Sequence, residues 1–121
     1  MRTGGLALEP VEVAKKAVEV ASDKRANDIL LLDISKVCSC ADYFVILNCE
    51  AERQMDAISD EMDNSLGQEG IRLRRREGTT DSGWVLLDFG EVIVHIFTPE
   101  QRAHYNLDKL WSKASIVVRV Q

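Results

Sequence analysis

The sequence predicts an α/β (α+β) layer fold in which helices pack on a mixed sheet. Three observations carry this. Apolar positions recur at helical spacing in residues 14–21 and 51–66. Short apolar runs bounded by polar residues, 29–32 and 43–47, stand between those two stretches. Two runs rich in Val, Ile and Phe, 84–89 and 92–97, are separated only by Gly90-Glu91. Helical period alternating with short apolar runs is the signature of a layered fold.

Residues 1–9, with Gly4-Gly5, read as a loose tail, and Pro10 suits the first turn of a helix. Ala14, Ala17, Val18 and Ala21 continue that helix to about Arg25, and Asn27-Asp28 interrupts it. Residues 29–32 read as a buried strand bounded by Asp33, and residues 43–47 as a second. From Ala51, the apolar positions Ala51, Met55, Ile58, Met62 and Leu66 share one helical face, with Gly67 and Gly70 as stops. Ile71 and Leu73 alternate with Arg72 and Arg74, which predicts an edge strand there. Gly78-Thr-Thr-Asp-Ser-Gly83 resembles a phosphate cradle in composition, but it leads into a strand and not a helix N-terminus, so a flexible loop is expected. After the paired runs, Thr98 caps, Pro99 starts and Gln101 completes a capping box for a terminal helix through Leu107, Leu110 and Trp111. The expected organisation is a flexible N-terminal tail over 1–10, one domain over 11–111 and a C-terminal tail over 112–121. Ile116-Val117-Val118 in that last tail receives no place in the sheet.

The paired runs predict a hairpin, because Gly90 at the first of two loop positions supplies the positive φ of a type II′ turn. If Phe89 faces Val92, then Leu86 faces His95 and Asp88 faces Ile93. One face of the hairpin, Val85, Leu87, Phe89, Val92, Val94 and Ile96, is wholly apolar and reads as core. The other, Trp84, Leu86, Asp88, Ile93, His95 and Phe97, mixes large aromatics with an acid and an imidazole, a composition typical of protein-binding surfaces.

A chain of 121 residues is long enough for a single core. No apolar run approaches a membrane span and the N-terminus lacks a signal-peptide pattern, so a cytoplasmic protein is expected. Cys38, Cys40 and Cys49 are an odd number, which argues for reduced thiols. The net charge of −5 lacks the general footprint of phosphate-backbone binding and favours a basic protein as partner.

The stretch from Trp84-Val-Leu-Leu-Asp88-Phe-Gly90 through His95-Ile-Phe, followed by Arg102, Tyr105, Leu107 and Leu110-Trp111, resembles the ribosomal silencing factor, or Iojap-like, family. Upstream, Asp42-Tyr43-Phe44-Val45-Ile46 with Gln54, Ala57 and Ile58 matches the family's second signature. The resemblance runs over residues 11–111. It departs at Asn48-Cys49-Glu50-Ala51, where the family usually has a small Gly-x-Ser turn.

The resemblance implies a sheet of about five strands related to nucleotidyltransferase folds, without the catalytic site. It also implies a translation repressor that binds the large ribosomal subunit through its conserved protein fourteen, at the subunit interface, and sterically blocks joining with the small subunit. Lowering translation when nutrients are short and aiding late large-subunit biogenesis both remain open. Within this reading Trp84, Leu86, Asp88, His95, Tyr105, Leu107 and Trp111 are the ribosomal-protein-binding residues, with no catalytic residue, metal or cofactor. A homodimer that hides the same face when the protein is free is the expected alternative use of it.

Two other classes compete. A nucleotide-binding or transferase-type enzyme needs paired carboxylates for Mg²⁺, and there is no Asp-x-Asp; Glu50/Glu52 and Asp60/Glu61/Asp63 fall at the start and in the body of an amphipathic helix. A general RNA-binding module would use Arg72, Arg74, Arg75 and Arg76, which otherwise read as a solvated, charged edge with minor or absent RNA contact. Asp88 and His95, diagonal neighbours in the hairpin, read as a structural hydrogen bond or docking contact before an acid/base pair, since no nucleophile converges on them. Cys38, Cys40 and Cys49 fall short of a four-ligand zinc site, because neither His95 nor His104 has ligand spacing.

Overall fold

The computed structural model describes residues 8–110 and 113–121. The order is α1 (Pro10–Asp23), β1 (Asn27–Asp33), β2 (Tyr43–Asn48), α2 (Glu52–Gln68), β3 (Arg75–Thr79), a 3-10 turn (Thr80–Ser82), β4 (Trp84–Asp88), β5 (Val92–Phe97), α3 (Pro99–Tyr105), α4 (Leu107–Leu110) and β6 (Ser115–Val120). The strands form one sheet in the order β3-β4-β5-β2-β1-β6. Every pair is antiparallel except β2 with β5, so the sheet is mixed, as expected.

Residue alternation along the strands divides the core in two. Ile29 and Leu31 of β1, Val45 and Leu47 of β2, Val85 and Leu87 of β4, and Val94 and Ile96 of β5 face α1 and α2. That cluster takes Val13, Ala14, Ala17 and Ala21 from α1 and Met55, Ile58, Met62 and Leu66 from α2. The intervening residues Leu30, Leu32, Phe44, Ile46 and Phe97 face the other way and form a smaller cluster with Ile34, Ala41 and Leu107. Strands covered on both faces need continuous apolar runs, which is why β1 and β2 read as unbroken Ile, Leu and Val. Pro10 sits at the start of α1, where Glu9 and Glu12 form a capping box. Gln54 joins the two helices: its Nε2 donates to the carbonyls of Lys24 (3.2 Å) and Arg25 (3.0 Å), and its Oε1 accepts the Glu50 N–H (3.1 Å).

The hairpin register is the expected one, with Trp84 opposite Phe97, Leu86 opposite His95 and Asp88 opposite Ile93. Gly90 has φ +96° and Phe89 N–H donates to Val92 O at 2.9 Å, closing a two-residue turn.

Several expectations need correction. The edge strand is Arg75–Thr79 and not 71–74. Ile71 and Leu73 are half-buried against the helix-side cluster, so their alternation records packing on that core and not strand pairing. Ladder pairing begins only where Arg75 meets Asp88. The segment 78–83 is a compact connection: Gly78 lies within β3 at φ +81°, Thr79 Oγ1 caps the 3-10 turn by accepting Ser82 N–H at 3.3 Å, and Gly83 closes it at φ +78°. The single terminal helix is two, because Asn106 ends α3 at φ 50°. Thr98 Oγ1 does accept the Gln101 N–H, at 3.3 Å. The sheet has six strands and not about five, since residues 115–120 pair antiparallel with β1. Cys38 and Cys40 are joined by a disulfide, against the expectation of reduced thiols. Two residues apart in a bend, their Cα atoms lie 5.3 Å apart, inside the range a disulfide spans. Cys49 is the free one; it is buried, and burial pushes its thiol up to about 12.

Candidate functional site

The mixed face of the hairpin carries an aromatic cluster at the side of the sheet away from α1 and α2. Trp84, at the start of β4, stacks on Phe97 of β5 with ring centroids 5.1 Å apart, and Tyr105 at the end of α3 packs against the indole at 4.4 Å. The His95 ring lies 5.9 Å from the indole and 4.5 Å from Phe44. Tight chain geometry makes this possible. Gly83 N–H donates to Thr80 O, and Thr98 N–H donates to Gly83 O at 2.9 Å, so the start of β4 and the start of α3 are held side by side. A Cβ at Gly83 would come within 2.6 Å of the Gln101 side chain and 2.9 Å of Thr98 Oγ1.

Trp84 Nε1–H donates to His95 Nδ1 at 3.2 Å. Accepting that bond places the ring proton of a neutral imidazole on Nε2. His95 is 4% exposed, and burial lowers its pKa to about 4, so the ring is neutral at pH 7. Nε2 is buried without a partner. The pairing of Asp88 with His95 is absent from this arrangement. Asp88 Oδ1 accepts the Gly90 N–H at 2.8 Å and its Oδ2 lies 3.6 Å from Arg75, while His95 spends its acceptor on the indole.

The expected binding residues therefore divide by depth. Trp84, Leu86 and Asp88 are half-buried, Tyr105 is 47% exposed, and His95 and Leu107 are buried. Trp111 lies outside the described residues. Trp84, Leu86 and Tyr105 line a small pocket of about 180 Å³ with Glu77, Gly78 and Ser82. Sequence reasoning missed Gly78 and Ser82 because it took residues 78–83 for a loose loop, and Glu77 because it placed the edge strand at 71–74. The two positive-φ glycines bracketing a Thr-Thr-Asp-Ser turn were the available signal.

A larger, more polar cavity of about 440 Å³ opens elsewhere, between β1, the end of β2, α3 and the end of β6. Asp28, Asn48, Arg102, Asn106 and Arg119 are among its walls. Arg102 donates to the Asp28 carbonyl and to Asn48 Oδ1 (3.0 Å), so the Asn48-Cys49-Glu50-Ala51 departure supplies an anchor for an arginine of the other signature. Asp28 carries the one acidic side chain among its lining residues, which leaves no pair of acidic side chains to hold a divalent ion. Among the described residues, no group of three or more His, Cys, Asp or Glu is placed to hold a metal ion. The arginine run is largely engaged: Arg75 pairs with Glu77 (3.0 Å) and Asp88, and Arg76 with Asp56 and Asp60 (3.3 Å each). Among the described residues no helix is long and apolar enough to cross a membrane.

A six-stranded mixed sheet with helices on both faces and an aromatic patch at one corner defines a small α/β domain whose most distinctive surface is apolar and aromatic, not a paired-carboxylate centre. Residues 7–121 match the family described as ribosomal silencing factor during starvation, and the chain belongs to that family. It is 39% identical over 104 residues to ribosomal silencing factor RsfS of Bacillus subtilis, covering 86% of this chain and 88% of that one. It is also 36% identical over 107 residues to the chloroplastic Iojap protein of Zea mays, covering 88% of this chain and 46% of that longer protein. A crystal structure of a Chromobacterium violaceum protein superimposes with a TM-score of 0.83 at 32% identity, covering 92% of this chain and 94% of the other. A Bacillus halodurans structure gives 0.77 at 35% identity, with coverage of 89% and 98%.

Proposed function

We propose that this protein represses translation by binding the large ribosomal subunit through its conserved protein fourteen and sterically blocking the small subunit from joining. The observation that carries the reading is the half-exposed Trp84–Tyr105 pair beside the Leu86 pocket, in a chain of the silencing-factor family. Rigid aromatics already packed against a core lose little entropy on binding, which is what a protein-docking hot spot requires. The net charge of −5 favours approach to a basic ribosomal protein. The mechanism needs affinity and position alone, without catalysis or a cofactor, and acts in the cytoplasm. Leu86, Asp88 and Tyr105 make the contact surface in this reading, and Trp84 supplies the anchor. His95 and Leu107 support the anchor from below. A homodimer of the free protein would cover the same apolar pocket.

An enzymatic role has less support, because the polar cavity offers a single acidic side chain and the acidic residues of α2 point outward. Direct RNA binding has less support too, because Arg75 and Arg76 are paired with acids of the same chain. Co-sedimentation with separated subunits tests the proposal. Binding to large subunits and not small ones, together with fewer joined ribosomes when both are mixed, is expected. Equal binding to both subunits, or complete release from large subunits by an RNA competitor at moderate salt, would overturn it.

A further inference from the structure

The connection between β1 and β2 carries a feature that the ribosome-binding reading does not use. We propose that Cys38-Ser39-Cys40 is a reversible thiol–disulfide exchange site, reduced by dithiol reductants and re-formed by small disulfide oxidants. Its two sulfurs differ in access: Cys40 is exposed, whereas Cys38 is half-buried against the cluster of Ile34, Ala41, Phe44 and Leu107. Exposed disulfides are the labile ones, and structural disulfides are the shielded ones.

Both ends of the loop are fixed without the sulfur bond. Asp33 Oδ1 accepts the Ser35 N–H (2.9 Å) and hydroxyl (2.6 Å), and Ile34 O accepts the N–H groups of Val37 and Cys38 (3.0 Å each). On the far side Ile34 N–H donates to Asp42 O and Asp42 N–H donates to Glu91 O, both at 2.9 Å. Opening the bond therefore leaves the two thiols close together, and a high effective concentration favours closing it again. The remaining cysteine, Cys49, is buried, and its thiol is pushed up to about 12, so it does not compete.

The chemistry balances. One thiolate of the reductant attacks the exposed Cys40 sulfur, forming a mixed disulfide as the Cys38–Cys40 bond breaks. Cys38 leaves with the electron pair and takes up a proton. A second thiol, from the same dithiol or from a second glutathione molecule, then attacks the reductant's sulfur in the mixed disulfide, releasing Cys40 as a thiol and the reductant as its disulfide. Two electrons and two protons pass to the protein.

The test is alkylation and mass analysis of the intact, folded chain equilibrated in glutathione buffers from fully reduced to fully oxidised. Expected is a single transition in which Cys38 and Cys40 gain or lose label together, while Cys49 stays unlabelled until the protein is unfolded. Independent labelling of Cys38 and Cys40 in every buffer would overturn the proposal, and so would a disulfide that opens only on unfolding. The single-thiol variants add a second measurement: oxidised glutathione should modify Cys38→Ser, at the exposed Cys40, about tenfold faster than Cys40→Ser. Equal rates would remove the inequality of access on which the site rests.

Discussion

The indole N–H of Trp84 donates to Nδ1 of His95 across 3.2 Å, so one side chain of the candidate docking surface is held by a buried, neutral imidazole. The bond fixes both partners. The indole cannot rotate without leaving His95 with neither ring nitrogen satisfied, since Nε2 already lacks a partner.

Trp84→Phe keeps the stack on Phe97 and Tyr105 but removes the donor. Stranding a buried acceptor costs about 1–3 kcal/mol. Urea unfolding should show a loss of that size, and a variant as stable as the parent would mean that the 3.2 Å contact contributes nothing.

Tyr105→Ala separates docking from folding better than any change at Trp84. The ring is 47% exposed, so stability should fall by about 1 kcal/mol or less, while affinity for large subunits should drop roughly thirtyfold, about 2 kcal/mol. Unchanged affinity would take Tyr105 out of the site.

His95 predicts an acid limb in stability. Its pKa is lowered from 6.5 to about 4 in the folded protein, so between those values the unfolded chain binds more protons than the folded one. Stability is then fully present above pH 6.5 and declines as the pH falls toward 4, by an amount of about 3 kcal/mol. Unfolding measured at several pH values in parent and His95→Gln checks this. The slope attributable to His95 should disappear in the variant; identical slopes would refute the assignment.

Gly78 and Gly67 predict opposite signs. An Ala Cβ at Gly78 would sit 2.1 Å from the Trp84 carbonyl oxygen at φ +81°, so Gly78→Ala should destabilise by about 2 kcal/mol or more. Gly67 has nothing within 4 Å and lies in α2, so Gly67→Ala should stabilise by about 0.5–1 kcal/mol. Thermal unfolding of the two variants decides both.

Reversing Arg74, Arg75 and Arg76 to Glu breaks ion pairs with Glu77, Asp88, Asp56 and Asp60 at the sheet edge. Folding should weaken by about 1 kcal/mol and ribosome binding only modestly. A loss of binding as large as that of Tyr105→Ala, with a steep salt dependence in the parent, would transfer the affinity to phosphate contacts.

Periodicity made the long elements legible. Every apolar position assigned to α1 from residue 14 onward, and Met55, Ile58, Met62 and Leu66 of α2, is buried, because an amphipathic face has one way to be covered; Ala51, read onto the same face, is instead the exposed N-cap of α2. The hairpin register followed from the glycine turn alone. Failures came where local pattern and tertiary partner disagree. Ile71 and Leu73 look like a strand but pack on the helix-side core without strand pairing, and residues 115–120 look like a tail until β1 offers them an edge. At the candidate site, the sequence placed Trp84, Leu86 and His95 on one face of the hairpin. It gave no hint that His95 would be buried with the indole as its partner, since that depends on Phe44, Trp84 and Phe97 packing around the imidazole.

The pairing of β6 with β1 has a consequence for how the chain is made. β1 is strongly apolar, yet the partner for its outer edge is synthesised only after β2, β3, β4 and β5. Until β6 emerges, an unpaired row of backbone groups beside Ile29-Leu-Leu-Leu32 stays available to any other strand. A nascent chain stalled before Ser115 would carry that open edge indefinitely, which makes the emergence of β6 the moment at which this edge becomes safe from its neighbours.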